Sequence, residues 1–199
     1  MDGDGPTTIV LGHGAGASLT SDYMAFFAVE LARRGHRVVR FNFPYMEAGR
    51  KAPDRQPVLI ETFRAVVDGV ASGAGKMIVG GKSMGGRIAS HAVAEGMAAD
   101  GLVFLGYPLH PPGRPERIRD AHLHDIKAPI LFVEGTRDPF CPLETLEKVR
   151  AGIGTDTEVL VIDDGDHSLK VRKSSGRDTA AAWAEAADGI DAWIRHAVP

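Results

Sequence analysis

Six short, nearly continuous apolar runs recur along the chain, alternating with stretches of helical periodicity, and this alternation constrains the fold more than any other feature. The runs are residues 7–11 (TTIVL), 37–41 (RVVRF), 76–80 (KMIVG), 101–105 (GLVFL), 129–134 (PILFVE) and 158–162 (EVLVI). A strand that is apolar on both faces needs cover on both, which is the situation inside a parallel sheet. The intervening stretches supply that cover. Residues 21–34 carry a stripe of Met24, Phe27, Ala28 and Leu31, stopped by Gly35, and residues 57–72 carry Leu59, Ile60, Phe63, Val66, Val67 and Val70. Further helices are expected at 85–95, 142–150 and 179–196, the last with Trp183, Ala187, Ile190 and Trp193. The expected fold is therefore α/β: a doubly wound, mostly parallel sheet of about six strands with helices on both faces. A length of 199 residues suits one domain, 1–199, with residues 1–6 expected to fray.

Composition narrows the partners. The formal net charge is -3 with both signs interspersed, so no basic surface suggests nucleic acid. No apolar stretch approaches the ~20 residues of a spanning helix, and the acidic, Gly-rich start lacks the pattern of a secretory leader, so no membrane partner is expected. The one cysteine, Cys141, has no internal disulfide partner. A cytoplasmic location is the reading these features favour.

Parallel sheets place their ligands beyond the carboxyl ends of the strands, so chemistry is to be sought in the loops that follow them. After the third run comes Gly81-Lys82-Ser83-Met84-Gly85, a G-x-S-x-G between a strand and a helix. That context suits a nucleophile elbow: the serine projects from a tight, strained turn, and side chains two residues before or after it would collide. The first amide of the new helix, on Met84, then faces any negative oxygen that forms beside the serine. A phosphate loop is excluded, because the position five before Gly81 is Lys76 rather than glycine.

A serine at an elbow needs a base, and in such enzymes the order is Ser, then Asp or Glu, then His. The fifth run leads to Asp138 and the sixth to His167, each in the loop after its own strand. Asp138 is expected to accept from one imidazole nitrogen and His167 to take the serine proton with the other. Asp163, Asp164 and Asp166 are rival acids, close to His167 in sequence, and Asp164 stays open as an alternative. His122 and His124 have an H-x-H spacing without further ligands, so neither a metal nor an organic cofactor is called for.

The loop after the first run, Gly12-His13-Gly14-Ala15-Gly16-Ala17, is positioned to give a second oxyanion donor, for which Ala15 is the candidate. The same letters fit G-x-G-x-x-A, a variant dinucleotide fingerprint, and Arg40 at the end of the second run could meet a 2′-phosphate of NADP. That rival leaves Ser83, Asp138 and His167 unexplained. A catalytically silent interaction module on the same fold is the other alternative.

Taken together, LGHGAGAS, GGKSMGGR, VEGTRDPF and DGDHSLKVRKSSGR resemble the α/β-hydrolase superfamily over residues 7–196. More narrowly they resemble a small, cap-less branch related to dienelactone-hydrolase-like proteins, which includes testis-expressed hydrolase-like proteins and the hydrolase-like domain of a histone-acetyltransferase complex subunit. The resemblance implies a minimal hydrolase fold without a cap domain. It implies Ser83, His167 and Asp138 as catalytic residues and Met84 and Ala15 as oxyanion donors; the reaction these residues suggest is hydrolysis of a small acyl compound (an ester, thioester or lactone) through an acyl-serine. Without a cap, the cleft must be built from the loops at 44–56 and 106–127, where Tyr45, Met46, Tyr107 and Leu109 are candidate wall residues along with Phe140.

Overall fold

The structure is a computed structural model that describes residues 1–198. Six strands form one sheet: β1 (Thr7–Gly12), β2 (Arg37–Phe41), β3 (Lys76–Lys82), β4 (Gly101–Leu105), β5 (Ile130–Gly135) and β6 (Thr157–Ile162). All pairings are parallel and the order across the sheet is β2-β1-β3-β4-β5-β6. The helices are α1 (Asp22–Arg33), α2 (Pro44–Glu47), α3 (Gln56–Val70), α4 (Met84–Ala94), α5 (Leu143–Arg150) and α6 (Thr179–Ala197).

Alternation within each strand divides the core between the two faces. Val10 joins one cluster, with Phe63 of α3, Ile88 of α4 and Leu146 of α5; its neighbours Ile9 and Leu11 join the other, with Phe27 of α1 and Ile190 and Trp193 of α6. Each such side chain contributes about 1.5–3 kcal/mol by leaving water. Both faces are covered, as the apolar runs require. Chain entry into α6 is fixed by Asp178, whose carboxylate accepts from Ala181 N at 2.6 Å.

The chain leaves β1 for β2 on one side and returns to β3 on the other. β1 and β3 therefore flank the point where the winding reverses, and α1 and α4 depart from it to opposite faces. Their last paired residues are Gly12 and Gly81. A crevice opens between the diverging loops at such a point.

One expectation is corrected. The N-terminus does not fray: Asp2 pairs antiparallel with Val38 through hydrogen bonds of 2.9 and 2.8 Å, and its carboxylate meets Arg40 at 2.9 Å. The cause is that β2 is an edge strand whose outer backbone groups were open to pairing. The loop at 106–127 contains a 3-10 turn at Ala121–Asp125 and buries Tyr107, Leu109, Leu123 and Ile126. No helix among the described residues is long and apolar enough to cross a membrane.

Candidate active site

Ser83 follows β3 directly and stands at φ 51°, ψ -113°, a strained conformation for a residue with a side chain. Its amide donates to Leu105 O at 3.1 Å, which ties the turn to β4. The flanking glycines are needed because the loop after β1 runs against the elbow. A Cβ on Gly81, which sits at φ 144°, would lie 2.1 Å from Gly12 O, and one on Gly85 would lie 2.1 Å from the same oxygen. Close approach of β1 is thus what restricts both positions.

The three expected side chains meet. His167 Nε2 is 2.8 Å from Ser83 Oγ, and His167 Nδ1 is 2.6 Å from Asp138 Oδ2. The carboxylate side chain is fully buried, and its other oxygen accepts from Phe140 N at 2.8 Å, so the acid is fixed by its own loop. With Nδ1–H donating to Asp138, Nε2 is the acceptor for the serine hydroxyl. Two of the rival acids serve the loop that carries the histidine. Asp166 Oδ1 accepts from Ser168 N and Lys170 N, at 2.7 and 3.0 Å. Asp164 Oδ2 accepts from Arg172 N at 2.8 Å, and the Arg172 guanidinium beside it holds its carboxyl below the usual range. Asp164 is therefore committed away from His167.

Ala15 and Met84 both line the cleft beside Ser83. As the first residue of α4, Met84 has no carbonyl within its helix to receive its amide hydrogen. The Ala15 loop is anchored by a residue that sequence reading passed over. His13 is buried; its Nδ1–H donates to Gly14 O at 2.8 Å, and its Nε2 accepts from Phe43 N at 3.1 Å. Burial holds its pKa below the ordinary histidine value, in keeping with a neutral ring in this bonded tautomer. Tyr45 OH accepts from Gly16 N at 3.3 Å from behind the same loop.

Lys82, within the elbow, turns inward. It is buried, and its Nζ donates to the backbone oxygen of His167. Burial pushes its pKa down to about 8, against the opposing pull of Asp138. Glu134, fully buried at the end of β5, accepts from Tyr107 N at 2.6 Å through Oε1, while Oε2 is unpartnered. Burial and the Asp138 charge push the Glu134 carboxyl well above its ordinary value. The charges of Asp138 and Glu134 act on the Lys82 ammonium in the opposite sense to its burial.

The cleft has a volume of about 290 Å³ and brings Ser83 and His167 together with Leu59, Pro108 and Phe140. Of the proposed walls only Phe140 lines it, its ring 4.7 Å from that of His167. Tyr45, Tyr107 and Leu109 are fully buried, and Met46 packs on the core cluster beneath the sheet edge. Large apolar side chains on loops at a sheet edge gain more by turning onto the sheet than by facing a wet cleft. The dinucleotide reading also loses its footing. Gly14 of the fingerprint lies against the elbow, and Arg40 donates to Leu19 O at 2.7 Å as well as to Asp2. Among the described residues no group of three or more His, Cys, Asp or Glu side chains is placed to hold a metal ion.

Solved structures with the same fold include a dienelactone hydrolase from Anabaena variabilis: TM-score 0.76, 21% identity, 100% of this chain and 90% of that one covered. An α/β serine hydrolase without lid from Xanthomonas campestris matches at TM-score 0.75 and 18% identity, over 100% and 85% of the two chains. An α/β serine hydrolase homologue from Coxiella burnetii matches at 0.74 and 18%, over 96% and 86%. The family model described as an alpha/beta hydrolase domain matches residues 5–195. With the six-stranded parallel sheet, the elbow after β3 and a match over nearly the whole sequence, the chain belongs to the alpha/beta hydrolase family.

Proposed function

We propose that the protein is a serine hydrolase that cleaves an ester, thioester or lactone through an acyl-Ser83 intermediate. The observation that carries this reading is the continuous hydrogen-bonded line from Ser83 Oγ through His167 to Asp138, at 2.8 and 2.6 Å. Ser83 Oγ attacks the acyl carbonyl carbon as its proton passes to His167 Nε2, and Asp138 stabilises the imidazolium that results. The carbonyl electron pair moves onto oxygen, where the amides of Met84 and Ala15 donate to it. Collapse breaks the bond to the leaving oxygen or sulfur, which takes the proton from His167. Water, deprotonated by the same imidazole, then attacks the acyl-serine and releases the acid. These steps need no metal or organic cofactor. A cleft of about 290 Å³ suits a small acyl compound. Cys141 is buried and free, which fits a reducing compartment such as the cytoplasm.

A fluorophosphonate probe tests the reading. It should add its mass to Ser83, and Ser83→Ala should abolish both labelling and the hydrolysis of short activated esters. A protein that neither labels nor turns over any such ester is instead a silent module on this fold.

A further inference from the structure

A second pocket, of about 380 Å³, adjoins the cleft that holds Ser83, and Gln56, Arg87 and Arg119 line both. Arg87 lies four residues beyond the serine on α4 and is half-buried. Its guanidinium has only neutral neighbours within bonding range: Nη1 donates to Gln56 Oε1 at 3.1 Å and lies 3.4 Å from His91 Nε2. Arg119 comes from the loop after β4, close enough for its charge to act on Arg87. No acid lines the second pocket; Asp54 lines the neighbouring cleft, with Oδ1 on Arg50 at 2.7 Å, and Asp120 lies 3.7 Å from His124.

Beside Ile118 and Ala121, another wall is a stacked imidazole pair. The rings of His91 and His122 lie 3.6 Å apart and nearly parallel, and His122 Nε2 is fixed by Ser90 Oγ at 2.8 Å and Tyr107 OH at 3.1 Å. Burial, with the charge of Arg87 added, pushes His91 down to about 4 and His122 down to about 3. Two cations and two neutral imidazoles thus surround one pocket without an acid between them. Like charges held together at a half-buried site are unfavourable unless an anion joins them.

We propose that the substrate of Ser83 carries a phosphate group, and that Arg87 and Arg119 receive it in this adjoining pocket while the acyl carbonyl lies at the elbow. The proposal rests on the serine-hydrolase reading. Phosphate is the anion that the charge count favours. Two guanidiniums match a dianion, and each can present paired N–H donors to its oxygens. A carboxylate would leave one of the two cations unmatched.

The test has two arms. Inorganic phosphate is titrated into the full-length Ser83→Ala protein while the imidazole resonances of His91 and His122 are followed. Saturable shifts are expected, and sodium acetate at matched ionic strength should bind about tenfold more weakly or worse. The shifts should be lost in Arg87→Gln and in Arg119→Gln; the second variant, on a half-exposed loop, decides the matter should the first fail to fold. In the other arm, kcat/KM is compared for an activated ester bearing a phosphate and an uncharged ester of equal length. A preference of about tenfold or more for the phosphate ester is expected in the native protein, falling toward parity in Arg119→Gln. Absence of saturable shifts, acetate binding as tightly as phosphate, or shifts that survive both substitutions would overturn the assignment. Phosphate binding without any ester turnover supports the pocket and sinks the reading of Ser83; ester turnover without phosphate binding does the reverse.

Discussion

Lys82 precedes the nucleophile, and its ammonium is buried rather than solvated, so its titration is coupled to folding. Its pKa is about 8 in the folded protein against 10.5 for the free side chain. Below pH 8 both folded and unfolded chains carry the proton and the folded state bears the full cost of burying it. Between pH 8 and 10.5 the unfolded chain binds more protons, so stability rises with pH across that window. Relative to Lys82→Met, the wild type should gain about 3 kcal/mol of unfolding free energy over the same interval. Urea denaturation of both proteins on either side of the window measures this, and a flat difference would count against a buried ammonium. Asp138 gives a separate prediction. Asn in its place keeps an acceptor for Phe140 N but no longer stabilises the imidazolium or fixes its tautomer. Turnover should fall by about 10⁴-fold with the thermal midpoint little changed. An unaltered rate would move the acid elsewhere.

The elbow depends on backbone contact between β1 and α4, and two glycines in helices separate that contact from ordinary helix propensity. An alanine at Gly85 would bring its Cβ to 2.1 Å from Gly12 O, a backbone atom with nowhere to retreat. Gly85→Ala should therefore lower stability by about 2 kcal/mol or more and displace Ser83. Gly69, near the end of α3, has open space around the same position, so Gly69→Ala should raise stability by about 0.5 kcal/mol. Equal effects in thermal melts would show that the close approach is relieved by movement. The same distinction between local pattern and tertiary contact explains what was legible in the sequence. The strands were, because runs such as GLVFL are apolar throughout, and so was the elbow, because its glycines bracket the serine at a fixed spacing. The four-residue α2 was not, since one turn has no periodicity to detect. The placement of Lys82 near Asp138 and Glu134 was also hidden. It arises from register: Lys82 lies opposite Leu105, and Leu105 opposite Val133, which brings β5 and the residues after it under the histidine. The only local sign of it was a glutamate, Glu134, at the end of an otherwise apolar strand.

At the scale of the whole molecule, the reversal of winding between β1 and β3 gathers the residues of the site at one rim and leaves the sheet with two edges, β2 and β6. Sheet edges invite pairing with other chains, and the first residues of this chain cover one of them. Asp2 exchanges two backbone hydrogen bonds with Val38 and places its carboxylate on Arg40. Each such hydrogen bond contributes about 0.5–1.5 kcal/mol net, reduced by the entropy of ordering a terminal segment. A chain beginning at Pro6 should therefore lose about 1–2 kcal/mol, and its thermal midpoint should fall by about 2–4 °C for each kcal/mol lost. The loss should not reach the site, because β1 lies between β2 and the elbow and keeps its own pairing with β3. The truncated protein should also associate more readily at high concentration, through the uncovered outer edge of β2. Thermal melts and sedimentation of the two chains decide the point. If the shortened chain melts at the temperature of the full one and stays as dispersed, the Asp2–Val38 pairing contributes nothing and the edge is guarded by Arg37 and Arg40 alone.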